Sequence, residues 1–290
     1  MKLFDTKLEK NCDIFIESHK VIRQIKNNLR DKSYLDARLL LSIVMKNEIY
    51  GHEKIKINNN ILNNLKELIR IRVSGITISR ILGKKEFWSE NFYLNSETLD
   101  PRPDSELIVR SVLDYTKKYL SHKKTLNIID LGTGSGCLIL SLLKEEKKFL
   151  GVGTDISPLA IAQARANASL LNLSKRVEFF NTNWSKGIQS KFDIIISNPP
   201  YIKKNEKLPL DVIRNDPKRA IFSGTDGLDS YREIFPATLN ILKPSGKIFL
   251  EIGKNQEKEV ISIAYENNFK FLGSKIDVSG VERCLIFKLF

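Results

Sequence analysis

Asn198-Pro199-Pro200-Tyr201 sets a carboxamide, two imide rings and a phenol directly after the apolar run Phe192-Asp193-Ile194-Ile195-Ile196-Ser197. Ile194 to Ile196 read as a buried parallel strand that the prolines end, so the tetrapeptide falls at a strand's carboxyl edge, where open α/β sheets hold ligands. The chemistry such a loop offers is the holding of an amino group. A planar NH2, on a carboxamide or a nucleobase, is a weak nucleophile because its lone pair is delocalised. The Asn198 side-chain oxygen and the Pro199 carbonyl provide two acceptors for its two hydrogens, leaving the lone pair directed at an electrophile while Tyr201 packs on the planar group. Pro200 has no N–H to compete for that carbonyl. A rigid turn would use the same Asn-Pro-Pro residues, so the loop alone leaves both readings open.

A second motif narrows them. Asp130-Leu131-Gly132-Thr133-Gly134-Ser135-Gly136 lies between a strand candidate, Thr125 to Ile129, and a helix candidate, Cys137 to Leu143. A strand, glycine turn and helix lets backbone approach a ligand closely, and serves dinucleotides, flavins and S-adenosylmethionine alike. Asp155 ends the next strand, Phe149 to Thr154, where a carboxylate can take both ribose hydroxyls of an adenosyl group. NAD enzymes share that acid. Asp130 leading into the turn, with Asn-Pro-Pro-Tyr two strands later, resembles the class I S-adenosylmethionine-dependent methyltransferases; a hydride-transfer reading leaves the second loop unexplained.

The elements that must carry these loops alternate from Thr125 onward: a helix over 158–171, a strand at Val177 to Phe180, the Phe192 strand, a helix over 228–242, and a strand over 247–252. This predicts an α/β fold with a mostly parallel sheet covered by helices on both faces. Two final strands, about 270–276 and 282–289, pair antiparallel if they are neighbours. The first 80 residues read as a helical bundle. Asp31 or Ser33 caps a helix with Leu35, Leu39, Leu40, Ile43 and Val44 on one face; Asn58 to Asn60 precede another that closes near Gly75; further turns fall between Thr6 and Leu29. A packing appendage and a partner-docking domain both suit it. Ile81 to Trp88 with Asn91 to Leu94 read as a β-hairpin linker, and Pro103 or Asp104 opens the next helix. The expected organisation is thus a helical docking domain at 1–80, a hairpin linker at 81–103 and a catalytic domain at 104–290.

With 290 residues, 42% of them hydrophobic, the chain can bury a large core. No apolar stretch reaches the roughly 18 residues of a membrane span, and the charged start lacks a signal-peptide core, so a cytoplasmic protein is expected. Cys12, Cys137 and Cys284 are scattered and odd in number, which suits reduced thiols better than disulfides or zinc. His19, His52 and His122 lie outside the motifs, so chemistry without imidazole or metal is expected. The net charge of +13 is spread along the chain, with 18 Lys and Arg against 11 Asp and Glu in residues 1–90. It allows weak contact with nucleic acid without requiring it.

The ordered set of motifs resembles one family, the peptide chain release factor N5-glutamine methyltransferases, over nearly the full chain. It comprises the helical N-terminal region, Leu82-Gly83 to Phe87-Trp88, Pro101-Arg102-Pro103-Asp104-Ser105-Glu106, the glycine loop, Asn198 to Tyr201, Gly224-Thr225-Asp226-Gly227-Leu228 and Glu251-Ile252-Gly253. The resemblance implies a Rossmann-like, seven-stranded class I fold and methyl transfer from S-adenosylmethionine to the side-chain amide of the Gln in a Gly-Gly-Gln motif. It also implies a release factor as protein partner; separately, a monomer is expected. Cofactor binding would fall to Asp130, Gly132, Thr133, Gly134, Ser135, Gly136, Asp155, Asn183, Trp184 and Asn198, with Asp155 on the ribose and Asn183 and Trp184 near adenine. Catalysis would fall to Asn198, Pro199, Pro200 and Tyr201. Two departures stand out: Asn183 where the family usually has Asp, and Asp216 where it usually has Glu. The alternatives are an N6-adenine DNA methyltransferase, for which no target-recognition segment is evident, and a ribosomal-protein glutamine methyltransferase, against which the order Arg102-Pro103-Asp104 speaks. A binding module with a decayed site is disfavoured by the presence of Asp130, Asp155 and Asn198 together.

Overall fold

A computed structural model describes residues 14–290. The chain forms two compact units: one holds the described residues through Gly83 with Pro209–Asn215, the other Lys84–Leu208 with Asp216–Phe290. Cys12 and the stretch from Thr6 to Asp13 lie outside the described residues.

The first unit comprises β1 (Ile14–Glu17), α1 (Ser18–Asn28), α2 (Tyr34–Met45), β2 (Lys54–Ile57), α3 (Asn59–Val73) and α4 (Ile78–Leu82). Ser33 caps α2 by accepting the Asp36 N–H at 3.1 Å, and Asn58 caps α3 by accepting that of Ile61 at 2.9 Å, as the sequence predicts. The bundle is not wholly helical, because β1 and β2 pair antiparallel, Ile14 opposite Ile57. The period-two pattern Lys54-Ile55-Lys56-Ile57 buries both isoleucines, but at four residues it is too short to stand out beside long helices. The apolar face of α2 also differs from expectation: Ala37, Leu40 and Leu41 are buried while Leu35 is 56% exposed. Apolar residues occupy most of that helix, so its hydrophobicity does not single out one stripe. A short helix, Leu210–Asn215, belongs to this unit. Asn215 donates to the Gly75 carbonyl at 2.7 Å and accepts from the Thr77 N–H at 3.0 Å, and Arg72 bridges Asp31, Asp36 and Asp211.

The second unit starts with a hairpin, β3 (Lys84–Phe87) and β4 (Glu90–Tyr93), then a 3₁₀ turn, Pro103–Ser105, leading into α5 (Glu106–Tyr119). Ile81 and Leu82, expected in the hairpin, end α4, which Gly83 caps in the left-handed conformation. The hairpin is no free linker: Phe87 and Phe92 are buried in the same core cluster as Val109 and Leu142. Then follow β5 (Leu126–Leu131), α6 (Cys137–Glu145), β6 (Phe149–Asp155), α7 (Pro158–Leu170), β7 (Val177–Asn181), β8 (Phe192–Ser197), α8 (the Leu210–Asn215 helix), α9 (Asp229–Thr238), β9 (Leu242–Glu251), α10 (Glu257–Glu266), β10 (Phe269–Ile276) and β11 (Glu282–Leu289). The seven strands stand in the order β10-β11-β9-β8-β5-β6-β7, and β11 alone runs against its neighbours. β9 starts at Leu242, earlier than the predicted Lys247. Leu242 pairs with Phe192, a register irregularity takes up Pro244-Ser245-Gly246, and regular pairing resumes at Lys247.

From β5 the chain winds outward through β6 to β7, then returns to β8 on the other side of β5. This reversal makes a crevice at the carboxyl ends of β5 and β8. Ser197 Oγ donates to the Leu131 carbonyl at 2.6 Å and locks the two strand ends together. Among the described residues no helix is long and apolar enough to cross a membrane.

Candidate functional site

A cleft of about 400 Å³ opens at this crevice, wholly within the second unit. It gathers residues from the carboxyl ends of four consecutive parallel strands. After β5 come Gly132, Thr133, Gly134 and Ser135; at β6 Asp155; after β7 Asn183 and Trp184; after β8 Asn198 and Pro200. Gly136 caps α6 just behind, at φ +81°.

The glycine loop is held by its own hydrogen bonds. Thr133 N–H donates to the Thr154 carbonyl and Gly136 N–H to the Thr133 carbonyl, both at 2.8 Å. Gly134 N–H donates to Asp155 Oδ2 at 2.9 Å, and Ser157 N–H to Asp155 Oδ1 at 2.8 Å. Gly134 has φ +54°, and a Cβ built there would meet no protein atom within 4 Å, so the loop presents bare backbone to open space. Behind it, a Cβ at Gly153 would come within 2.5 Å of the Phe179 ring, so that glycine serves packing. Asp130 is fully buried at the loop's root. Its Oδ2 accepts from Thr133 Oγ1 at 2.7 Å, its Oδ1 has no hydrogen-bond partner, and burial pushes its carboxyl up to about 7.

Trp184, held at φ +46°, donates its ring N–H to Glu233 of α9 at 2.6 Å, and both line the cleft. Asn183 lines the same end. Bare glycine backbone, a carboxylate with lone pairs to spare, an indole plane and an orphaned buried acceptor fit the adenosyl and amino acid halves of S-adenosylmethionine.

Asn198 anchors the other end. Its Nδ2 donates to Ser105 Oγ at 2.8 Å, and Ser105 Oγ donates to Glu251 Oε2 at 2.6 Å. Pro199 and Tyr201 do not line the cleft. The expected stacking of Tyr201 on a bound amide is not what the ring does here: it packs against the core cluster around Tyr231 and sends its hydroxyl to Glu251 Oε1 at 3.3 Å. Gln256 donates to the Tyr201 carbonyl at 2.9 Å.

Two residues of the cleft, Arg102 and Ser105, and Glu251 behind them were quoted within motifs of the resemblance but assigned no role. Glu251, a carboxylate ending the apolar run Ile248-Phe249-Leu250, is 1% exposed and reaches the site through Ser105. Arg102 lines the cleft and is paired with buried Asp216, which also accepts the Asp100 N–H at 3.2 Å. Aspartate at 216, the departure noted from the sequence, is long enough to pair with the arginine.

A parallel sheet reversed at a single strand, with a glycine turn and an acid-ended second strand bordering a switch-point cleft, is the architecture of a class I methyltransferase. A family model described as a methyltransferase small domain matches residues 116–219. The hMettl16 catalytic domain, solved in complex with MAT2A 3'UTR hairpin 1, shares the fold at TM-score 0.53 and 15% identity, covering 77% of this chain and 80% of that one. The release factor glutamine methyltransferase of Agrobacterium fabrum is 40% identical over 76% of this chain and 77% of its own length. That of Clostridium acetobutylicum is 34% identical over 94% of this chain and 96% of its own. The bifunctional methyltransferase of Rickettsia felis is 35% identical over 92% of this chain and 58% of its own. The chain belongs to the release factor glutamine methyltransferase family.

Proposed function

We propose that this protein methylates the side-chain amide nitrogen of the Gln in the Gly-Gly-Gln motif of peptide chain release factors. The observation that carries the reading is Asn198: it lines the cleft that also holds the glycine loop, and with its NH2 engaged by Ser105 the atom its amide has left to offer is an acceptor oxygen. S-adenosylmethionine, when bound, supplies an electrophilic methyl group on its sulfonium. Gly132 to Gly136, Asp155 and the Asn183–Trp184 pair hold its adenosyl portion. Asn198 Oδ1 accepts one hydrogen of the substrate amide; the Pro199 carbonyl, next along the loop but outside the lining of the cleft, becomes the second acceptor only if substrate reaches past Asn198. Together they orient the nitrogen and favour its lone pair over the delocalised form, so positioning carries the rate. The proton released from the methylated nitrogen is strongly acidified, and water takes it without a dedicated base.

The first unit serves as the docking domain for the release factor. Tyr34, Leu35 and Tyr50 are each about half exposed or more, with Arg38 5.8 Å above the Tyr50 ring, and such an apolar and basic surface suits a protein partner. A cytoplasmic monomer that needs no nucleic acid completes the reading. Incubation with labelled S-adenosylmethionine and an unmodified release factor tests it. Label should enter the intact factor and not one whose motif Gln is replaced by Ala; label in both, or only in DNA, overturns it.

A further inference from the structure

The chain Asn198–Ser105–Glu251 is directional, and its direction follows from counting hydrogens. Ser105 Oγ lies 2.6 Å from Glu251 Oε2 and 2.8 Å from Asn198 Nδ2. A serine hydroxyl has one hydrogen, and Glu251 in its ionised form, the form taken above about pH 7, can only accept. The Ser105 hydrogen therefore goes to Glu251, and Ser105 can offer Asn198 only a lone pair. Asn198 must meet it with its NH2. Turning the amide over would set Oδ1 against the Ser105 lone pairs, two acceptors face to face in a site where Ser105 is 2% and Glu251 1% exposed and water cannot intervene. Glu251 is itself braced: Tyr201 donates to its other oxygen, and Tyr231 donates to its backbone carbonyl at 2.9 Å.

Resting on the functional reading above, we infer that Ser105 and Glu251 are positioning residues that fix the orientation of the Asn198 amide, and thereby select a substrate group that donates, a carboxamide NH2, over a carboxylate. Neither touches the reacting nitrogen. Ser105 comes from the turn before α5 and Glu251 from the end of β9, so the orientation of the loop after β8 is set by two elements far from it in sequence. A carboxylate in the place of the substrate amide would face Asn198 Oδ1 with no hydrogen to give, and the site has no means of reversing the amide to receive it.

The test uses the full chain, an unmodified release factor and three variants: Ser105→Ala, Ser105→Thr and Glu251→Gln. Ser105→Ala removes the lone pair that holds the NH2, so kcat should fall roughly 10-fold to 100-fold while affinity for S-adenosylmethionine stays within about threefold. Ser105→Thr keeps the hydroxyl and should restore most of kcat. A separate readout needs no turnover: the Asn198 side-chain NH2, followed by nuclear magnetic resonance, should exchange slowly with solvent in the wild type and the Thr variant, and fast in the Ala variant. Wild-type kcat in Ser105→Ala, no recovery in Ser105→Thr, or equal NH2 exchange in all would overturn the inference. Should Ser105→Ala not fold, Glu251→Gln decides by the same two readouts, with unchanged kcat and unchanged exchange counting against it. A wild type that leaves the release factor unmethylated would sink the functional reading, and the exchange measurement would still decide the inference.

Discussion

The backbone N–H of Gly134 donates to the carboxylate of Asp155 at 2.9 Å, so the acid that ends β6 also shapes the loop that follows β5. Its second oxygen is occupied by the Ser157 N–H, which leaves the carboxylate fixed in orientation with lone pairs directed at the cleft. Asp155→Ala removes both a ligand contact and a brace. Affinity for S-adenosylmethionine should weaken by about 1.5–3 kcal/mol in a folded protein, read by calorimetry. Unchanged affinity would show that the ribose is held elsewhere.

At the adenine end, Glu233 holds the indole of Trp184 at 2.6 Å from an exposed position. Glu233→Ala should weaken S-adenosylmethionine binding by about 1 kcal/mol, less than the loss at Asp155, because the ring keeps its packing and loses only its tether. Calorimetry on both variants under one buffer checks the ranking; an equal or larger loss at Glu233 would contradict it.

The buried acids make stability and activity move in opposite directions with pH. Burial pushes Glu251 from 4.5 up to about 7, and Asp130 from 3.8 up to about 7. Around Glu251 stand Ser105 and Asp104 before α5, Tyr201 after β8, Tyr231 on α9, Cys137 on α6, and Arg283 and Cys284 on β11. Both acids bind a proton more tightly when folded. Their contribution is full below about pH 4 and is lost as pH rises to about 7, on the order of 3 kcal/mol for Glu251. Urea unfolding from pH 4 to pH 8 should show this decline, and Glu251→Gln should reduce it. Turnover should run the other way. Protonated Glu251 no longer obliges Ser105 to donate to it, so kcat falls below about pH 7 in the wild type, and this acid limb should be missing in Glu251→Gln.

Substitutions on the exposed face of the first unit should affect encounter and spare chemistry. Tyr34→Ala with Leu35→Ser should raise KM for the intact release factor roughly fivefold or more, with kcat and S-adenosylmethionine affinity unchanged. An unaltered KM removes this face from docking. Deleting residues 1–80 is a poorer test, because it strips Asp211 and Asn215 of Arg72, Gly75 and Thr77.

The glycine loop, Asp155 and Asn198 were legible because each ends an apolar strand, and a strand's end in a parallel sheet is a place a sequence can point to. What escaped the sequence joins residues far apart in it. Ser105 and Glu251 are 146 positions apart, and no local pattern says that a serine in a turn meets a carboxylate at the end of β9. Tyr201 shows the same gap: an aromatic beside Asn198 suggests stacking, and nothing local says that its hydroxyl reaches Glu251, 50 residues on, or that its carbonyl accepts from Gln256, 55 residues on. Leu210–Asn215 joins the first unit although the chain on either side belongs to the second, and a six-residue helix carries too little pattern to announce that.

The most direct measurement is single-turnover kinetics of Asn198→Ala on an unmodified release factor, beside S-adenosylmethionine affinity of the same protein. If Asn198 orients the reacting amide, the rate should fall roughly 100-fold or more while cofactor affinity changes little, since the lost contact matters most in the transition state. Asn198→Asp should also fail, because a carboxylate has no hydrogen for the Ser105 oxygen. A wild-type rate in Asn198→Ala would remove Asn198 from the mechanism and contradict the account.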